Sequence, residues 1–309
     1  MQTSYQFISH YKQSLATLER TLQSAPRHQP RQGGHGPVEY RKLMQRFRQF
    51  LSDEEKFWTQ FVVRYKRSFA LHEAHPVLVA LNILTPLDDA NLPSLPDSGG
   101  KNGASHQNHG RNHFFFPPEE STPAPDPAEH ESRLAILSKA IVCLGDIARY
   151  RELYNEAGGR PKAGHEDGAV PAKRSGRGSR GGIPGFDSIP RARNYDKAIQ
   201  CYEQARLLVP YEGNSSHQLA ILAFYQGDMF NSLFHYYRAL CVRQPYDTAS
   251  ENIKKILNKA LDQQTKKIKD SHTTSPESGE VPPRLRVENL KENVVLLHAL
   301  WRLGSDKDK

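Results

Sequence analysis

Residues 198–210 read AIQCYEQARLLVP, and residues 232–245 read SLFHYYRALCVRQP. Laid over one another, Ala198, Tyr202 and Ala205 recur as Ser232, Tyr236 and Ala239, each displaced by 34 residues, and Pro210 recurs as Pro245 at a displacement of 35. A small residue, an aromatic four positions on and a second small residue three beyond share one face of a helix. Small residues let neighbouring helices approach closely, and the ring fills the gap between layers. Proline closes each unit because it cannot continue a helix. The pattern predicts stacked helical hairpins, whose concave groove is a place for extended peptides to lie.

A 34-residue period of this kind is that of a tetratricopeptide repeat, and the fold class is all-α. Four helices are predicted in quick succession, at about 193–208, 214–227, 229–243 and 247–268. Upstream, Leu134, Leu137, Ile141, Leu144 and Ala148 make one side of a helix from Ala128 to Ala157. Near the amino terminus, Ile8, Tyr11, Leu15, Leu18 and Leu22 form another continuous stripe. After the breaker-rich segment PRHQPRQGGHGP (26–37), Leu43, Phe47 and Phe50 restart helical spacing. Ser52 before Asp53, Glu54 and Glu55 reads as the cap of a new helix running to about Glu73, with Trp58, Phe61, Val62, Tyr65 and Phe69 buried. Pro76 starts a shorter helix that ends before Pro86, and LRVENLKENVVLLHALWRL (285–303) forms the last. The chain thus divides into amino-terminal helices (1–84), a disordered linker (85–127), repeat helices (128–268) carrying an Arg- and Gly-rich disordered insertion (158–191), a further linker (269–284) and the start of a following helical region (285–309). Phe114, Phe115 and Phe116 stand together in the first linker, ready to fold back onto an apolar groove.

The composition is polar, with 37% hydrophobic and 25% charged residues and a mean hydropathy of -0.70. Cys143, Cys201 and Cys241 lie far apart in apolar helical patterns, which suits a reduced, intracellular compartment. No apolar run reaches the roughly 18 to 20 residues of a membrane span. Of the net charge of +8, the stretch 173–193 supplies +5, through Lys173, Arg174, Arg177, Arg180, Arg191 and Arg193 against Asp187. Such a segment attracts nucleic acid electrostatically, which marks Arg174, Arg177 and Arg180 as its contacts. No constellation for catalysis, a cofactor or a metal is present: His106, His109 and His113 lack paired cysteines, and the phosphate-loop, nucleophile-elbow and zinc-protease patterns are missing.

Two basic stretches fall on predicted helices. With Trp58 as reference and about 100° per residue, the apolar face centres near Trp58, Tyr65 and Phe69, so Arg64 and Lys66 lie on its two flanks and Arg67 opposite. Only flank positions border a groove. The second stretch is Cys143-Leu-Gly-Asp-Ile-Ala-Arg-Tyr-Arg151. Gly145 permits close helix contact, and Asp146, one turn before Arg149, is spaced to hold the guanidinium fork in one orientation. Arg149 is then expected at a groove rather than in the core.

Taken together, Leu144-Gly-Asp-Ile-Ala-Arg-Tyr-Arg151, Ala198 to Pro210, Gln218-Leu-Ala-Ile-Leu-Ala223 and Tyr236-Tyr-Arg-Ala-Leu240 resemble the SMG/EST family, adaptors of nonsense-mediated mRNA decay with the telomerase-associated protein of yeasts as a relative. The likeness implies a 14-3-3-like domain whose groove holds phosphoserine. It implies that Arg149, beside Tyr150, contacts phosphate, with a second basic residue from the third helix, for which Arg64 and Lys66 both stand. Where the family commonly has Asn-Gln-Leu-Ala, this chain has His217-Gln-Leu-Ala220, and histidine keeps a hydrogen-bond donor for the peptide groove that Asp146 also borders. The implied function is a non-enzymatic, phosphopeptide-binding adaptor of nonsense-mediated decay in nucleus and cytoplasm, recognising a phosphorylated RNA helicase and pairing with a paralogue. The alternative is a telomerase-associated subunit that binds telomeric single-stranded DNA or telomerase RNA.

Overall fold

The computed structural model describes residues 2–24, 36–88, 126–154, 193–271 and 282–305. Among them the secondary structure is helical, without a strand: α1 (Gln2–Ser24), α2 (Gly36–Ser68), α3 (His75–Ala80), α4 (Pro127–Leu153), α5 (Asp196–Leu208), α6 (Asn214–Tyr225), α7 (Met229–Leu240), α8 (Thr248–Ser271) and α9 (Pro283–Ser305). The stripe of α1 packs on α2, with Tyr11 stacked on Phe47 at 5.0 Å between ring centroids.

One predicted boundary is wrong. Ser52 does not cap a helix; it lies in the middle of α2, which runs unbroken from Gly36 to Ser68. Met44, Phe47, Leu51, Trp58 and Val62 are all buried, so one apolar stripe passes straight through the supposed cap. Asp53, read as a first-turn acid, is a surface group instead: both its carboxylate oxygens accept from the Gln49 side chain at 3.0 Å.

α2 and α4 run antiparallel, and their register is fixed at both ends. Arg48 Nε donates to the Tyr154 carbonyl at 2.7 Å at one end, and the Arg133 guanidinium sits 4.5 Å from the centre of the Phe69 ring near the other.

The repeat positions perform the packing that their spacing suggests. Ala198, Tyr202, Ala205, Ser232, Tyr236 and Ala239 are all buried. α5 lies against α4 and α6, α7 against α6 and α8, and α9 against α7 and α8. A β-carbon on Gly145 would stand 2.5 Å from Tyr202 Cε1, so the tyrosine ring occupies the space that the glycine leaves on α4. Ser232 donates to the Ala220 carbonyl at 2.7 Å and Ser138 to the Ala205 carbonyl at 3.1 Å, which satisfies two buried hydroxyls where helices touch. Two apolar clusters result, one spanning α1 to α6 and one spanning α6 to α9.

Candidate functional site

The last turns of α4 carry Asp146 and Arg149, and the glycine one residue earlier brings α5 close enough for Tyr202 to reach them. Asp146 Oδ1 accepts from Arg149 Nη2 at 3.0 Å and from the Tyr202 hydroxyl at 2.7 Å. Its Oδ2 accepts from the Tyr5 hydroxyl at 2.5 Å, so α1 closes the cluster from the far end of the chain. The Tyr5 ring is partly exposed at the rim while its hydroxyl points inward, and burial together with the Asp146 carboxylate pushes that phenol far up in pKa. Tyr5 is therefore a donor at any physiological pH.

Arg149 departs from its expected place. It is only 8% exposed, because α5 packs over α4 at this level. Burial opposes its charge, but Tyr202, Asp146, Tyr150 and Tyr225 outweigh that effect and hold the guanidinium well above its ordinary value. The cation lies 4.8 Å from the centre of the Tyr150 ring. Arg149 Nε is buried and has no hydrogen-bond partner.

His217, on the first turns of α6, is also buried, and its ring packs against Tyr246 at 4.4 Å and Tyr236 at 5.3 Å. Burial first, and the Arg149 charge second, push its pKa down to about 4. The imidazole is neutral near pH 7, and its Nδ1 is a second buried polar atom without a partner. Asp146, Arg149 and Tyr150 thus form one cluster with Tyr5 and Tyr202, and the Arg149 charge reaches His217 on α6.

Arg64 and Lys66 are not brought to that cluster. Arg64 is exposed, whereas Lys66 is buried with its Nζ 3.4 Å from His75 Nδ1. By the α2–α4 register, Lys66 stands level with Ile136, thirteen residues before Arg149 and about 20 Å away along the axis. The basic groups that do flank the end of α4 are Arg48, Arg151 and Lys197, in a cavity of about 470 Å³ where Glu55 pairs with both Arg151 and Lys197. Sequence spacing had not pointed to these, or to the hydroxyls of Tyr5 and Tyr202. Arg174, Arg177, Arg180, the three histidines of the first linker and Phe114 to Phe116 lie outside the described residues. Burial pushes Cys143 and Cys201 to about 11, so both thiols are protonated. Among the described residues, no cluster of histidine, cysteine and carboxylate could hold a metal ion, and no helix is long and apolar enough to cross a membrane.

Residues 1–155 match the family model of telomerase activating protein Est1, and residues 198–300 match that of the Est1 DNA/RNA binding domain. The chain is similar to the nonsense-mediated mRNA decay factor SMG7 of Arabidopsis thaliana, with 26% identity over 225 residues covering 71% of this chain and 15% of that protein. With SMG7 of Danio rerio it shares 43% identity over 75 residues, 24% of this chain and 6% of the relative. The telomerase-binding protein EST1A of Danio rerio is 26% identical over 136 residues, 43% of this chain and 6% of the relative. The matched stretches therefore span between 6% and 15% of the length of these relatives.

Proposed function

The chain belongs to the telomerase activating protein Est1 family, and from that premise we propose that it is a phosphopeptide-binding adaptor head of nonsense-mediated mRNA decay, its partner a phosphorylated RNA helicase. The observation that carries this reading is a pair of buried polar atoms without partners, Arg149 Nε and His217 Nδ1, on two tyrosine-lined groups whose electrostatics interact. Buried polar groups are nearly always satisfied, so a pair left open near a fixed cation suits an incoming group rich in acceptors. Phosphoserine brings about two negative charges and three acceptor oxygens, and Arg149 is held charged to meet it. Neutral His217 serves as a donor to peptide or phosphate. Residence in nucleus and cytoplasm and pairing with a paralogue belong to the same proposal.

The test is an anisotropy titration with a phosphoserine peptide and its unphosphorylated twin. Phosphorylation tightens binding at least about tenfold, as one or two charge-assisted hydrogen bonds require. Arg149→Lys keeps the charge but loses the fork and removes most of that gain. Equal affinity for the two peptides would reject the reading.

A second reading, a telomerase-associated subunit that binds single-stranded DNA or RNA, is favoured by the match of residues 198–300 to the Est1 DNA/RNA binding domain. Its expected contacts in the insertion, Arg174, Arg177 and Arg180, would bind through charge alone.

A further inference from the structure

α9 is apolar on two faces. Val295 and Ala299 are buried in the cluster it shares with α7 and α8, as one stripe of an amphipathic helix should be. About 140° round the axis, at 100° per residue, a second stripe runs through Val287, Leu290, Val294, Leu297 and Trp301. All five are between 44% and 71% exposed. The stripe continues onto α7: Phe230 and the half-exposed Phe234 wall a groove of about 620 Å³ whose other side is Val294, Leu297 and Trp301. An open apolar face of this extent marks a contact surface.

Spacing identifies what fits there. Steps of three, four, three and four residues are the heptad seam of coiled helices, with Val287, Val294 and Trp301 at the first position and Leu290 and Leu297 at the fourth. Valine at the first position with leucine at the fourth favours a single partner helix. Bases of a nucleic-acid strand stack on rings, whereas four of these five side chains are aliphatic and interlock with a facing helix. Charge narrows the partner further. The positions bordering the seam are Arg284, Arg286, Lys291, Asn293, His298 and Leu300, without a carboxylate. The two acids of α9, Glu288 and Glu292, lie off the seam and pair with Lys291 at 3.0 Å and Lys267 at 2.6 Å. A second copy of this chain fits poorly. Parallel pairing sets Arg286 against Lys291 of the other copy, and antiparallel pairing sets each basic flank against itself. A helix with glutamate or aspartate at the bordering positions meets those cations with opposite charge.

We propose that the exposed stripe of α9 and the α7–α9 groove dock an amphipathic helix of a protein partner, apolar along its own heptad seam and acidic on both flanks. Leu297 and Trp301 are its central contacts, because they belong to the stripe and wall the groove as well. Neither the Arg149 cluster nor the Arg-Gly insertion takes part, so this docking stands or falls separately from the phosphopeptide and nucleic-acid readings.

The experiment titrates the full chain with two labelled synthetic helices of about three heptads, both with valine and leucine at the seam, one flanked throughout by glutamate and the other by lysine. Like charges keep either peptide from pairing with itself. Of the two tryptophans, Trp58 is 5% exposed and Trp301 71%, so a blue shift of the emission reports burial of Trp301. The glutamate peptide binds with that shift, and the lysine peptide binds at least about tenfold more weakly. Leu297→Asp, at an exposed position, keeps the helix content and lowers affinity for the glutamate peptide at least about tenfold. Arg284→Glu with Arg286→Glu reverses the preference between the peptides. Equal affinity for the two peptides, or wild-type affinity in Leu297→Asp, would overturn the proposal. A full chain that sediments as a dimer dissociated by Leu297→Asp would overturn it too, since a second copy would then cover the face. The same holds for Trp301 emission that starts blue-shifted and moves to the red on deletion of residues 89–125, since the chain would then cover its own groove.

Discussion

Asp146 holds three donors on two oxygens, and this one carboxylate decides how Arg149 is presented. The Tyr5 hydroxyl approaches it from 141 residues away in sequence and the Tyr202 hydroxyl from 56. Tyr5→Phe removes one bond to a buried charge while keeping the ring, so stability should fall by about 1 to 3 kcal/mol. Asp146→Asn should cost more, about 3 to 5 kcal/mol, because it leaves the Arg149 cation buried without its counter-charge. Urea midpoints for the two variants check this order, and a Tyr5→Phe protein as stable as wild type would mean that α1 does not close the cluster in solution. Pairing of Asp146 with Arg149 was legible in the sequence from their three-residue spacing. Their depth was not, because spacing along one helix reports neighbours on that helix and says nothing of what α5 lays over it. Nor could it reveal Tyr5, whose partner is set by tertiary packing alone. His217 gives a pH prediction. Its folded pKa of about 4 lies below the ordinary value of 6.5, so the unfolded chain takes up a proton that the folded chain refuses. Stability from this group is complete above pH 6.5 and is lost as pH falls toward 4, with a limit on the order of 3 kcal/mol at about 1.4 kcal/mol per pKa unit. His235 and His298 are shifted in the same direction and add to the slope. His217→Asn should therefore flatten the loss of stability between pH 7 and pH 5, and an unchanged slope would place the titration elsewhere.

At the level of elements, the α4–α5 contact turns on a single hydrogen atom. Gly145 is helical, so alanine there would ordinarily gain about 1 kcal/mol of helix propensity. Its β-carbon, however, would meet the fully buried ring of Tyr202 at 2.5 Å, and that ring is tethered through its hydroxyl to Asp146. Overpacking of about 1 to 3 kcal/mol should win, so Gly145→Ala lowers the melting temperature by a few degrees. A variant that melts higher than wild type would show that the helices part without strain. Ser52 makes the opposite case. As a cap its loss would cost about 1 kcal/mol, but in the middle of α2 Ser52→Ala should change stability by less than about 0.5 kcal/mol. The helices of the repeat were legible because small and aromatic residues return at a fixed displacement and proline marks each end. The course of α2 was misread because a serine followed by acids carries the local chemistry of a helix start, and only the continuous burial of Phe47, Leu51 and Trp58 overrules it. Placing Arg64 and Lys66 on flanks of the apolar face was a rotational reading. It could not foresee that the antiparallel register sets them a dozen residues away from the level of Arg149.

Across the whole molecule, charge and fold are unevenly distributed, and removal of residues 158–191 separates them. α4 and α5 flank that insertion, and their facing ends meet: Glu152 Oε1 accepts from the Asn194 backbone N–H at 2.8 Å, so a short Gly-Ser turn can join them. Since closure entropy changes slowly with loop length, such a deletion should leave helix content intact and the melting temperature equal or slightly higher. It removes half of the basic excess, +4 of the net +8, including Lys173, Arg174, Arg177 and Arg180. Strand binding at about 50 mM salt should therefore weaken strongly, since each released counterion contributes to the salt slope. Phosphopeptide affinity should stay within about twofold, because Asp146, Arg149 and His217 are held by packing and hydrogen bonds that do not pass through the insertion. The measurement is a pair of titrations on full-length and deleted protein, one with a phosphoserine peptide and one with a single strand, each at about 50 and about 200 mM salt. If the deleted protein loses phosphopeptide binding while its helices stay intact, the insertion rather than the tyrosine-walled cluster supplies the phosphate contact, and Arg149 is a buried structural cation.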